Sequence, residues 1–337
     1  MLQGRSANPT GSEPPSLLVV IDTEEEFDWD APFDRAATSV ETMRHVGRAQ
    51  QIFDHFDIRP VYVVDYPVAS QPAGYEPLRE FASSGRAVIG AHLHPWVTPP
   101  HEEEVSAFNS FAGNLPLALE RDKLARLADQ IERVFGERPT TYKAGRYGFG
   151  PNTAPILLDQ GFEVDLSFCP PFDFSDQGGP DFSAASCTPF WFETDRPLLE
   201  VPSTGAYVGL LRRNGRRLRA FAESPALRWA RLPGIFSRSG LLDRLHLSPE
   251  GYSLEELILL TRTLHRQGLR TFTLSFHSPS LDPGHTSYVR SRADLEAFLM
   301  TLRCYFDYFF GELGGVARTP LELKAYLEGT APPVAEA

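Results

Sequence analysis

Short apolar runs alternate with longer amphipathic stretches along this chain. The runs are LLVVID (17–22), RPVYVVD (59–65), AVIGAH (87–92), TTYKAG (140–145), FEVDLSF (162–168), LLEVPS (198–203) and TFTLSFH (271–277). Near-continuous Val, Ile, Leu and Phe over so few residues reads as a buried strand rather than a half-exposed one. Between the runs the apolar positions recur at three- and four-residue steps. Residues 118–135 place Leu124, Leu127, Ile131 and Val134 on one helical face, and Gly136 follows as a stop. Ser253 with Glu256 forms a capping box that opens a helix running to about His265, closed by Gly268. Residues 291–310, dense in Leu, Phe and Tyr, predict a long helix packed outside the sheet. Strand alternating with helix predicts a parallel sheet or barrel.

The 337-residue length fits one large α/β barrel or two smaller domains. Residues 1–16, rich in Pro, Gly and Ser, are expected to be disordered and lack the apolar stretch of a signal peptide. No stretch approaches the roughly 18 uninterrupted apolar residues of a membrane span. The three cysteines, Cys169, Cys187 and Cys304, are odd in number and widely spaced, which disfavours a disulfide framework and a thiolate metal site. A cytoplasmic location suits this pattern. A net charge of −12 argues against a nucleic-acid partner.

One region breaks the rhythm. Residues 209–239 carry Arg212, Arg213, Arg216, Arg217, Arg219, Arg228, Arg231 and Arg238 against one acid, Glu223, with Phe221, Leu227, Trp229 and Phe236 among them. Residues 209–250 are read as an insertion in a barrel spanning 17–312, with 313–337 forming a C-terminal helix and tail. The insertion is either a lobe that touches an anionic surface through 212–238 or, the favoured reading, a solvated amphipathic helix.

The polar residues of interest fall at the C-terminal ends of the predicted strands, where parallel α/β folds build their sites. Asp22 and Glu24 end the first strand, and alternate residues of an extended segment share a face. A solvated acidic turn is the alternative, because Glu25, Glu26 and Asp28 follow. His92-Leu93-His94-Pro95-Trp96 ends the third strand; H-x-H puts two imidazoles on one face about 6–7 Å apart at Cα, a spacing that suits one metal ion. His277 is delivered to the rim by the last strand, as a candidate general acid or a core histidine. Arg146 takes a strand-end position in Lys143-Ala144-Gly145-Arg146-Tyr147-Gly148, at the end of the fourth strand, where the glycines would let backbone approach a ligand. Asp165 takes a strand-end position, and Glu200 reads as a buried partner or a rim residue. His246 is assigned to a loop with no partner nearby in sequence.

This ordered set resembles the NodB-homology polysaccharide deacetylases, carbohydrate esterase family 4. Asp22-Thr23-Glu24, His92 with His94, Lys143 to Gly148, Asp165 and His277 follow the order of that family's motifs. The look is nearest to the WalW-type branch, through His92 to Trp96 before Thr98-Pro99-Pro100, Glu200-Val201-Pro202 and Phe276 to Leu281. Thr23 departs from the family's adjacent aspartates, and the two histidines stand two residues apart where the family spaces them by four. Lys143 replaces an arginine. The resemblance implies a deformed (β/α)7 barrel and one divalent ion, usually zinc, held by Glu24, His92 and His94. It implies Asp22 as base, His277 as acid, and Lys143 or Arg146 holding Asp22. Trp96, Tyr147 and Asp165 would contact a saccharide, from which an N-acetyl or related acyl group is hydrolysed. A silent saccharide-binding barrel and a hydrolase of a non-sugar amide or ester are the competing expectations.

Overall fold

The computed structural model describes residues 4–9, 13–28, 31–192, 196–223, 232, 234, 236 and 239–330. All seven apolar runs contain strands. In the numbering used below they are β2 (Ser16–Thr23), β3 (Val61–Val64), β4 (Val88–Leu93), β5 (Thr141–Ala144), β6 (Val164–Asp165), β8 (Leu199–Glu200) and β11 (Thr271–His277). They lie in the spatial order β8-β6-β5-β4-β3-β2-β11 and pair parallel throughout.

Among the described residues the ladder does not close on itself. Between its two ends, β8 and β11, single contacts replace a continuous pairing. Thr273 N donates to Thr204 Oγ1 at 2.8 Å, Leu247 N to Thr204 O at 2.8 Å, and Ser275 N to Leu247 O at 3.1 Å. Two further strands, β9 (Gly205–Val208) and β10 (Asp243–His246), pair antiparallel with each other at this seam. The architecture is therefore a deformed (β/α)7 barrel, open at the ladder level.

Strand alternation sorts the side chains into two clusters. Leu17, Val19 and Ile21 of β2, with Tyr62, Val64, Phe272, Leu274 and Phe276, join the helices in the larger one. Leu18, Val20, Val61, Val63, Val164, Leu166, Leu199 and Val201 form the smaller, interior one. Leu323 and Leu327 of the C-terminal helix Pro320–Thr330 join this interior cluster. That helix follows β12 (Val316–Ala317), which pairs with the start of β2, so it covers the end of the barrel where the strands begin.

The outer helices follow their sequence signals. Leu117–Phe135 ends at Gly136, whose φ of +87° takes the left-handed turn that L-residues resist. Leu254–Arg266 starts in the Ser253/Glu256 capping box. Arg292–Phe306 packs Phe298 and Phe306 against Phe276 and Phe53, then continues as a π-turn over Asp307–Glu312.

Two expectations are corrected. The N-terminal segment contains a strand, β1 (Gly4–Ser6), which pairs antiparallel with β7 (Phe190–Phe192) and extends the sheet beyond β8. Backbone pairing, with Asn8 Nδ2 donating to Gly268 O at 2.8 Å, outweighs a composition that reads as disordered. His246 lies in β10 rather than in a loop. The Arg-rich segment forms a helix over Gly215–Ala222, while Leu227, Arg228, Trp229, Arg231 and Arg238 lie outside the described residues. No described helix is long and apolar enough to cross a membrane.

Candidate functional site

The interior phase of the barrel generates the site. On β2, Leu18 and Val20 face inward, so Asp22 and then Glu24 follow on the same side. The same step of two on β4 brings His92 and His94 inward, and on β11 it brings Ser275 and His277. Register aligns them across the ladder: Asp22 opposes His277, and His92 opposes Lys143. All of these ends point to one cavity of about 430 Å³, lined by Asp22, Glu24, His92, His94, Arg146, His246 and His277 among others.

Glu24, His92 and His94 converge. Glu24 Oε2 lies 3.6 Å from His92 Nε2 and 3.5 Å from His94 Nε2, and donor atoms of the three groups lie within 4.8 Å of one another. The other ring nitrogens are occupied: His92 Nδ1 pairs with Lys143 O at 2.9 Å and His94 Nδ1 with Glu25 Oε2 at 2.8 Å. Donation from each Nδ1–H leaves each Nε2 lone pair facing Glu24. Trp96 stacks on His94 at 4.3 Å, and Asp65 accepts from Glu25 N at 2.6 Å. Gly145 is required here, because a Cβ would collide with the His94 ring. Lys123 secures the loop after His94 by donating to the carbonyls of Pro95, Thr98 and Pro100.

These groups fit a divalent cation on the chemistry of the donor set. Two neutral imidazole nitrogens and a carboxylate oxygen face one point, and the second carboxylate oxygen, Glu24 Oε1, is buried without a hydrogen-bond partner among the described residues. Burial raises the carboxyl of Glu24 and lowers the imidazole of His92, and it lowers His94 to about 4. Neutral histidines are the ligand form, and a cation would offset the burial of the Glu24 charge. Burial also lifts Glu25 to about 8. It serves as the partner of His94 Nδ1 rather than a fourth inward donor.

Beside this cluster stands a second, differently charged one. Lys143 Nζ reaches both Asp22 oxygens, at 2.7 and 2.6 Å, with Lys143 only 1% exposed. Burial would raise the Asp22 carboxyl, but Lys143 foremost, then His92 and His277, bring it down to about 2. His277 Nε2 lies 3.7 Å from Asp22 Oδ2. On its far side His277 donates from Nδ1 and from its backbone N to Glu250, at 2.8 and 3.1 Å. Burial would lower His277, but Glu250 and Glu24 outweigh it and hold the imidazole up at about 9.

The structure separates the remaining sequence candidates. Tyr147 lines the cavity; Trp96 supports His94 from behind and does not. Asp165 is buried outside the cavity, accepting from Ser167 Oγ at 2.6 Å and opposing Glu200 across the β6–β8 ladder. Arg146 reaches Ser110 and Gln177 rather than Asp22, so Lys143 alone of the two holds the aspartate. The glycines around Arg146 accommodate His94 and neighbouring backbone.

Sequence reasoning missed Glu250 and His246. Leu245, Leu247 and the intervening His246, Ser248 and Glu250 alternate in period two, and all three polar residues line the cavity. That alternation was the available signal. The insertion thus ends on β10 and the residues after it, which serve the site.

No family model matches the sequence, and no curated protein matches it. Solved structures do. A Mycobacterium smegmatis protein assigned as a polysaccharide deacetylase aligns over 99% of both chains with a TM-score of 0.54 at 18% identity. A Pseudomonas aeruginosa PAO1 protein with the same assignment covers 95% of this chain and 92% of its own, with a TM-score of 0.51 at 15% identity. The Puue allantoinase covers the same shares, with a TM-score of 0.50 at 16% identity. At such identities the likeness is one of fold, and the chain has the fold shared by these polysaccharide deacetylases and this allantoinase.

Proposed function

We propose that the protein is a metal-dependent hydrolase that removes an N-acetyl or related acyl group from a saccharide. One observation carries the reading. A buried Glu24/His92/His94 donor set stands next to an Asp22–His277 pair whose proton affinities are driven far apart, in a single cavity. Two titratable groups pushed in opposite directions are the arrangement that lets one accept a proton while the other donates it. Similar folds assigned as polysaccharide deacetylases support the saccharide.

Glu24, His92 and His94 would hold the ion, with zinc favoured by two imidazoles and one carboxylate. A divalent ion in such a site polarises a carbonyl and lowers the pKa of water towards about 7. Asp22, anionic beside Lys143, is oriented to take the proton from an attacking water. His277, charged below about pH 9, holds its Nε2 proton towards the cavity for the leaving amine. Glu250, accepting from Nδ1, stabilises the imidazolium that carries this Nε2 proton. Cleavage of the acyl C–N bond then yields a carboxylate and an amino sugar.

Hydrolysis of a non-sugar amide is the second reading, because an allantoinase has the same fold and fold does not fix substrate. Acetate release from N-acetyl sugars, with and without a chelator, tests the proposal. No release from any saccharide would sink the saccharide assignment, and chelator-resistant release would sink the metal.

A further inference from the structure

Arg146 lines the cavity but has no place in the chemistry above. Its guanidinium is half-buried between two rings, 5.0 Å from the centroid of Phe33 and 4.3 Å from that of Phe111. Ser110 Oγ accepts from Nη1 at 2.6 Å, Ala107 O accepts from Nη1 at 3.4 Å, and Gln177 Oε1 accepts from Nη2. Three of five N–H donors are thereby used. The Nε–H and one Nη2–H have no acceptor among the described residues. Unused N–H donors of a guanidinium are the groups that grip a carboxylate or phosphate.

The charges around the cavity are otherwise matched. Asp22 has Lys143 at 2.6 Å, and Glu250 has His277 at 2.8 Å. Glu24 faces the cation position. Arg146 forms no ion pair among the described residues, and the acid that acts on it at a distance, Asp176, is exposed. It is also the only Lys or Arg among the described residues that line the cavity. Placing a cation there without a counter-ion costs free energy. So does its backbone, since Arg146 and Tyr147 both hold positive φ, 52° and 59°. The fold thus fixes an unmatched, rigid cation beside the reacting groups.

We propose that Arg146 binds an anionic group, a carboxylate or a phosphate, carried by the substrate. This rests on the hydrolase reading and narrows its substrate to an acidic or phosphorylated N-acyl saccharide. The aromatic clamp of Phe33 and Phe111 presets the guanidinium plane, so little side-chain freedom is lost on binding.

Calorimetric binding of the amino-sugar products tests this without requiring turnover. The probes are glucosamine, glucosamine 6-phosphate and muramic acid, against wild type, Arg146→Met and Arg146→Lys. At least one anionic probe should bind wild type about tenfold or more tighter than glucosamine, as expected for charge-assisted bonds. Arg146→Met should remove that preference and Arg146→Lys should keep part of it. Which anionic probe wins distinguishes phosphate from carboxylate. Equal binding of all three sugars, or a preference that survives in Arg146→Met, overturns the proposal. Acetate release is assayed in parallel: an Arg146-dependent preference in a protein that hydrolyses no N-acyl substrate would refute the hydrolase reading and leave the anion site standing.

Discussion

Lys143 spans the interior of the barrel to reach Asp22, with Nζ 2.7 and 2.6 Å from the two carboxylate oxygens. The residues sit on β5 and β2, separated by β3 and β4 in the sheet. Removing the ammonium strands a buried carboxylate. Lys143→Met should destabilise the fold by about 3–5 kcal/mol, the usual cost of breaking a buried pair from one side. The pH dependence should change sign as well. In wild type the Asp22 carboxyl is depressed from 3.8 to about 2, so its contribution is full above pH 3.8 and is lost as pH falls through about 2. Without Lys143 the burial that raises this carboxyl loses its main opponent, and stability should instead fall as pH rises. Urea unfolding from about pH 2 to about pH 8 measures both effects.

Glu250 sets the proton affinity of His277. Burial alone would lower that imidazole, yet it stands at about 9 with Glu250 the largest opposing influence. An acid must be protonated to donate, so turnover should hold at neutral pH and fall as pH rises through about 9. In Glu250→Gln the falling limb should move down by about 1–3 pH units, while the acidic limb, set by Asp22, stays in place. A pH–kcat profile of both proteins reads this directly. An unmoved basic limb would remove Glu250 from the account.

Asp22 and His277 are assigned opposite proton roles. Asp22→Asn and His277→Ala should each lower kcat by roughly 10²–10⁴, and the double variant should fall well short of the product of the two losses. Steady-state rates of acyl release give the comparison, and near-native turnover in either single variant would withdraw its role.

Glu25 pairs with the ring of His94, a proposed metal ligand, at 2.8 Å. Glu25→Ala removes the acceptor of His94 Nδ1 and should weaken divalent-ion binding about 10–100-fold. Competition with a chromogenic chelator measures the change. Binding at wild-type strength would show that Trp96 stacking suffices to orient the ring.

Much of this site was legible in the sequence because β-strands repeat every two residues. Asp22 with Glu24 and His92 with His94 share a face by arithmetic alone, and the apolar residues before them fix that face as interior. The assignment of Lys143 over Arg146 was not legible. Three residues separate Lys143, inward on β5, from Arg146 in the turn after it, and Arg146 at φ 52° leaves the strand altogether. Asp165 looked like a rim residue because it follows apolar residues, but β6 is only two residues long and its carboxyl is taken by Ser167. Glu250 lies 27 residues before His277 and beyond the end of β10 at His246. Its proximity comes from the β9–β10 pair at the seam of the barrel. The N-terminal strand escaped notice because backbone pairing with β7 leaves little trace in side-chain pattern.

The central claim is metal-dependent hydrolysis at Glu24, His92 and His94. Elemental analysis of purified wild type and of a His92→Ala/His94→Ala variant, each assayed for acetate release from N-acetyl sugars, tests it most directly. The account predicts about one divalent ion per wild-type chain, none retained by the variant, and acetate release only where the ion is bound. Wild-type protein without a bound ion that still releases acetate, or a variant that keeps both ion and activity, would contradict it.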